Sequence, residues 1–198
     1  MTDRVWALAG PRQLNADGLR LVGATTLALL EGGARLAVGC CTGADAAAVH
    51  AAVQVGYAQR LTIWCAFGEC RRDAPARTPG TCRWSAPAMV ACAAAAGAQV
   101  RAWAGGGAEV PLAARLARRT RAVAGAATAG ALVWLPRQSQ GTLLLARCAV
   151  SRVPVLALPL GCRGEQLPPL DTTGRWIPAA QALLPGAWRW RAAQAALL

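Results

Sequence analysis

Short apolar runs alternate along this chain with longer Ala- and Leu-rich stretches, and glycine, proline or a small polar residue marks each changeover. Short runs bounded by turn signals read as buried strands, and stretches with apolar residues at i, i+3 and i+4 read as helices. The pattern predicts a first strand over Arg4–Ala9 that ends at Gly10-Pro11-Arg12, then a helix over Asp17–Glu31 closed by Gly32-Gly33. Further strands are predicted over Arg35–Gly39, Leu61–Ala66, Gln99–Ala104, Ala131–Leu135 and Val153–Leu158. Helices are predicted between them, over Ala46–Val55, Pro87–Ala96, Pro111–Ala127 and Gln140–Arg152. This alternation predicts an α/β fold in three layers, a mostly parallel sheet flanked by helices. Two segments break the rhythm. Gly68–Ser85 holds Arg71, Arg72, Arg77 and Arg83 among prolines and glycines and reads as a basic loop. Beyond residue 162 come Pro168, Pro169, Pro178 and Pro185 with Trp176, Trp188 and Trp190, which predicts one domain over 1–162 and an appendage over 163–198 packed on it.

With 198 residues, one core is the expectation. The hydrophobic share of 55% raises the question of a membrane. The richest apolar runs, Ala86–Val100 and Val123–Pro136, are Ala- and Gly-heavy and fall short of the roughly 20 residues a span requires. The apolar run after Arg4 is also too short for a secretory leader, so a cytoplasmic protein is expected. The eight cysteines are scattered with no C-x-x-C pair, and one histidine leaves no zinc spacing, so they read as reduced thiols. Charge changes the picture more. Lys and Arg together number 21 against 9 acidic residues, a formal +12, and every basic residue is arginine. Arginine forks phosphate well, and the balance favours an anionic partner.

Ligands of parallel α/β sheets collect beyond the carboxyl ends of the strands. Gly10 and Arg12 follow the first predicted strand there. Gly39, Thr42, Gly43 and Asp45 follow the second, just before a helix start that suits a phosphate or a ribose; Thr42 or Asp45 could equally be an ordinary cap. Gln140, Gly141 and Thr142 open the helix after the fifth strand, with no side chain on Gly141 to obstruct a ligand. Arg115, Arg118, Arg119 and Arg121 read either as an anion clamp or as a solvated face. His50 reads as a packed or exposed histidine, and the three C-terminal tryptophans either stack bases or pack the appendage. No metal set and no certain cofactor is indicated; a bound nucleotide fits these residues.

Taken in order, these segments resemble the SLOG superfamily, which is Rossmann-like, and within it the core of the DNA-processing protein A (DprA/Smf) family. The resemblance covers about Arg4–Gly161. The family's G-[ST]-R turn corresponds to Gly10-Pro11-Arg12, its G-x-D turn to Gly43-Ala44-Asp45, and its R-N-R helix to Arg119-Thr120-Arg121. Its S-G-[ST]-L-x-x-A segment corresponds to the stretch from Gln140 through Gly141 and Thr142 to Ala146. Thr120 stands for the family's Asn, Gln140 for its Ser, and His50 falls one place late. The resemblance implies a Rossmann-like fold, a nucleotide or single-stranded DNA on the strand-end face, and a homodimer. LOG-type phosphoribohydrolases are more distant: Leu143, Leu144 and Leu145 follow Gly141-Thr142, and no carboxylate stands where their catalytic Glu would be. A binding module is therefore expected before a nucleotide N-glycosidic hydrolase, with an oligomeric signalling module sensing a nucleotide-derived ligand as a third reading.

Overall fold

The computed structural model describes residues 4–68, 86–180 and 184–192; the basic segment predicted at 68–85 lies outside the described residues from 69 onward. Strands β1 (Val5–Ala9), β2 (Arg35–Val38), β3 (Leu61–Trp64), β4 (Gln99–Arg101), β5 (Gly130–Leu135) and β6 (Val155–Pro159) are joined by helices α1 (Ala16–Glu31), α2 (Ala44–Gln54), α3 (Ala86–Ala95), α4 (Leu112–Gly125) and α5 (Gln140–Ala149). The C-terminal segment adds β7 (Arg175–Pro178) and β8 (Trp188–Arg191), two strands that the sequence pattern did not announce. The eight strands form one sheet in the order β4-β3-β2-β1-β5-β6-β8-β7. The first six are parallel, and the last two pair antiparallel.

The helices start and stop for local reasons. Asn15 caps α1, its side-chain oxygen accepting from the Gly18 amide at 2.8 Å. At the other end Gly33 takes the left-handed conformation (φ 81°), which lets Ala34 N–H reach back to Leu29 C=O and close the last turn. Strand β6 starts at Val155, two residues later than the pattern suggested, because Pro154 has no N–H to give a ladder and only its carbonyl accepts, from Ala131. Strand β4 stops at Arg101, short of Ala104, where Trp103 turns the chain with φ 53°.

The strands alternate large and small residues, so the two faces of the sheet differ. Trp6, Leu8, Leu36, Val38, Leu132 and Trp134 point to the face covered by α1, α2 and α3. On the opposite face Ala7 lies in register with Ala37 and Ala131, and α4 and α5 pack there through Val123, Ala124, Leu145 and Ala146. A row of alanines lets helices come close to the strands, since a side chain of one carbon leaves little standoff. Trp134 is 1% exposed, and its indole N–H donates to Thr25 Oγ1 at 3.0 Å, tying α1 to the central sheet.

The C-terminal tryptophans are packing residues. Trp190 is buried among Leu167, Leu170 and the α5 face, and it meets Trp176 edge to face with centroids 5.2 Å apart. A Cβ on Gly164 would land 1.7 Å from the Trp188 ring, so a glycine is the residue that fits under it. If β7 and β8 belong to the folding unit, Trp190→Ala should cost roughly 3–5 kcal/mol in denaturant unfolding. A loss under about 1 kcal/mol would show a segment that merely rests on the domain.

Candidate anion-binding crevice

Strand β1 has β2 on one side and β5 on the other, and the helices that follow β1 and β5 lie on opposite faces of the sheet. A crevice opens above the carboxyl ends at such a switch in direction. Here it is a cavity of about 580 Å³, bounded by Gly10, Pro11 and Arg12 after β1, by Cys41 and Asp45 at the start of α2, by α4, and by Ser139–Thr142 at the start of α5. Gly10, Arg12, Asp45, Arg119, Gln140, Gly141 and Thr142 all line it, although 132 positions separate the first from the last in sequence.

Gly39 and Gly43 do not line the cavity; their contribution is steric. Gly43 adopts φ 80°, and a Cβ there would stand 2.4 Å from the carbonyl oxygens of Pro11 and Arg12. The two loops therefore touch backbone to backbone, and Ala44 N–H donates to Pro11 C=O at 3.0 Å. That amide, and the Cys41 N–H given to Asp45 Oδ2 at 3.1 Å, are used inside the protein. The α2 turn expected to cradle phosphate is thus a structural clasp at these two donors. Thr42 is 3% exposed and lies outside the lining.

The arginines of α4 divide in the same way. A helix turns about 100° per residue, so Arg119 and Arg121 cannot share a face. Arg121 is exposed and away from the cavity, and Arg118 reaches toward Gly106. Arg115 is buried, donating to Ala66 C=O at 3.0 Å and lying 5.5 Å from the Trp103 ring centroid. The four do not form one clamp. Arg119 turns inward, and its Nη1 meets Asp45 Oδ2 at 3.3 Å while Nη2 donates to Cys41 Sγ at 3.0 Å. A Cβ on Gly39 would fall 1.5 Å from this guanidinium and 2.3 Å from the carboxylate, so the pair sits directly over the end of β2. Thr120, where the family pattern has Asn, spends its hydroxyl on Leu116 C=O at 2.9 Å.

Burial pushes the Asp45 carboxyl up to about 6 despite the nearby Arg119 charge and the Cys41 amide, which pull the other way. Burial also opposes the Arg119 charge, but the Cys41, Cys40 and Asp45 side chains outweigh it and hold the guanidinium protonated. The pair is charged at neutral pH. Cys41, raised by its hydrogen bond with Cys40 and by burial, stays a thiol there.

The other end of the crevice is open. Helix α5 starts at Ser139 with no side-chain cap, because Ser139 Oγ is engaged with Thr142 Oγ1 at 2.6 Å. A Cβ on Gly141 would meet nothing within 4 Å. Arg12 is exposed on the facing wall and makes no ion pair among the described residues. Leu112, Leu116 and Leu144 give the cavity an apolar side. The sequence pattern marked Thr120 only as a motif position and gave Cys41 and these leucines no part in the site; the i, i+4 spacing of Leu112 and Leu116 with Thr120 was the available signal. His50 lies on α2 outside the crevice.

The architecture is that of a Rossmann-like α/β protein with a ligand-sized cavity at its switch point. The X-ray structure of DNA processing protein A (DprA) from Streptococcus pneumoniae is similar, with a TM-score of 0.57 and 21% sequence identity over 83% of this chain and 53% of that one. The fold is therefore DprA-like, and the chain spans about half the length of that structure. No protein-family model matches the sequence, and no curated protein does.

Removing one member of the buried pair should be costly. Arg119→Met strands the Asp45 carboxylate, and a loss of roughly 3–5 kcal/mol is expected at neutral pH by denaturant unfolding; a loss under about 1 kcal/mol would contradict the pairing. The fold favours neutral Asp45, so its stabilising contribution is full below about pH 4 and is lost as pH rises through 6, about 3 kcal/mol in all. Asp45→Asn should flatten the fall in unfolding free energy between those values, and an unchanged slope would show that another group titrates.

Proposed function

We propose that this chain is a DprA-like protein that binds a nucleotide or single-stranded DNA by its phosphate groups in the crevice between β1 and β5. The observation that carries the reading is the uncapped start of α5, with open space at Gly141, facing the Arg12 guanidinium across one cavity. Free amides at a helix N-terminus attract an anion, and an exposed guanidinium in the same cavity completes its charge balance. Arg119 contributes from below: its Nε–H has no acceptor among the described residues, and Asp45 holds the rest of the guanidinium in place. Leu112, Leu116 and Leu144 supply a dry face for a base. A cavity of about 580 Å³ falls within the usual range for small-molecule sites, roughly 300–1,000 Å³.

Gly141→Asp tests this with little risk to the fold. The new carboxylate enters open space in the first turn of a helix, where it helps both propensity and dipole, so thermal stability should hold or rise. Affinity for a nucleoside monophosphate or an oligothymidylate, by calorimetry or fluorescence anisotropy, should fall at least about tenfold from charge repulsion. Arg12→Gln should weaken the same ligands and, for DNA, lower the salt slope by about 0.7. Wild-type affinity in both variants would rule the crevice out. Affinity for DNA that falls steeply with salt separates the single-strand reading from a mononucleotide one.

A further inference from the structure

We propose that the β7–β8 ribbon is a second contact surface, one that takes the phosphate backbone of single-stranded nucleic acid. The register sets its chemistry. Arg175 stands opposite Arg191, and Ile177 opposite Arg189, so these four side chains share one face of the ribbon. Arg189 lies opposite Leu156 of β6, a residue of the core beneath α1, whereas Trp188, Trp190 and Trp176 turn to the α4–α5 side. The tryptophans bury one face of the ribbon and leave the arginines on the other. Arg175, Arg189 and Arg191 are all exposed, and a depression of about 320 Å³ lies over Ile177, Arg189 and Arg191.

Like charges directly opposite on neighbouring strands destabilise a sheet. Arg175 and Arg191 are such a pair, and Arg189 is two residues from Arg191, about 7 Å along the same strand and the same face. Among the described residues none of the three makes an ion pair. The flanking stretches 179–187 and 192–198 hold no Asp or Glu to neutralise them. Asp171 is the carboxylate nearest in sequence, and it is committed to the Thr173 and Gly174 amides, each at 2.8 Å. A cluster of forked cations with no internal counter-charge matches a chain of phosphates: each bound phosphate would relieve the repulsion and release a counterion. Arg175 and Arg191 face each other across the strands, about 5 Å apart at the backbone, and Arg189 stands about 7 Å further along β8, so the charges spread in two directions and suit several phosphates of an extended polyanion better than one small anion, with Ile177 at the fourth corner as an apolar rest for a sugar or base.

This surface is distinct from the crevice and does not depend on it. The test is anisotropy of a fluorescein-labelled oligothymidylate across a series of salt concentrations, with circular dichroism and thermal melting as fold controls. The triple variant Arg175→Gln, Arg189→Gln, Arg191→Gln should flatten the plot of log affinity against log salt by about 2, roughly 0.7 for each phosphate lost. The triple Arg→Lys variant should keep most of the slope, and Arg101→Gln, on the strand at the opposite edge of the sheet, should leave it unchanged. Should the triple variant fail to fold, each single Gln variant should still lose about 0.7. A wild-type slope in a folded triple variant overturns the proposal, as does aggregation with an unchanged slope, which would mean that the charges only guard a sheet edge. Binding to anionic phosphatidylserine vesicles with none to the oligonucleotide overturns it as well. Gly141→Asp separates the two surfaces. If it abolishes binding while the triple variant keeps its slope, the crevice stands and the ribbon falls; if the triple variant loses its slope while Gly141→Asp binds normally, the ribbon stands and the crevice falls.

Discussion

A carboxylate and a guanidinium, both almost fully buried, meet above the end of β2, and the form of the crevice follows from keeping them together. Neither charge could be left alone in that position, because an unpaired buried ion costs several kcal/mol. Holding them requires α2 to present Asp45 from one face of the sheet and α4 to present Arg119 from the other, with no Cβ on Gly39 between them. Two layers of the fold are thereby fixed relative to each other at the point where the cavity opens. The same requirement removes Arg119 from the set of freely moving cations and makes it part of the floor, while Arg12 stays available on the wall.

The sheet's two faces make this arrangement possible. Trp6, Leu8, Leu132 and Trp134 build a thick layer under three helices. Ala7, Ala37 and Ala131 keep the other side thin, so α4 and α5 ride close to the strands and their upper turns project into the crevice. The segment beyond residue 162 continues the sheet in place of a helix layer. Its tryptophans complete the thin side, and its arginines are exposed on the other face of the sheet, the one that holds Leu156 of β6. One molecule thus carries two arginine-bearing features of different construction, a cavity at the strand ends and an open ribbon at the sheet edge.

Much of this was legible in the amino-acid order. Short apolar runs, Ala- and Leu-rich helical stretches and glycine stops gave all six parallel strands and five helices within a few residues, because each depends on backbone propensity and local capping. The stop at Gly32-Gly33 is an example. The loops at residues 10–12, 43–45 and 140–142 were also recognisable, since a Rossmann-like sheet puts strand ends on one edge whatever the rest of the sequence is. The β7–β8 hairpin was less visible. Its strands are short, contain a proline, and are separated by Pro185 and Gly186, and their pairing with β6 depends on contacts far away in sequence.

Sequence alone therefore determined which segments become elements and which edge of the sheet carries the cavity, both consequences of local periodicity and chain direction. Tertiary structure alone decided which of several similar groups does what. Arg119 is buried against a carboxylate 74 residues away while Arg121 is left in solvent, a difference set by helical phase against the rest of the fold. Gly39 and Gly43 make room for packing while Gly141 opens onto space, because the neighbours of a missing Cβ come from distant parts of the chain. Charge, glycine and helix start can be read in one dimension, but whether each is satisfied internally or left for a ligand depends on what the fold brings beside it.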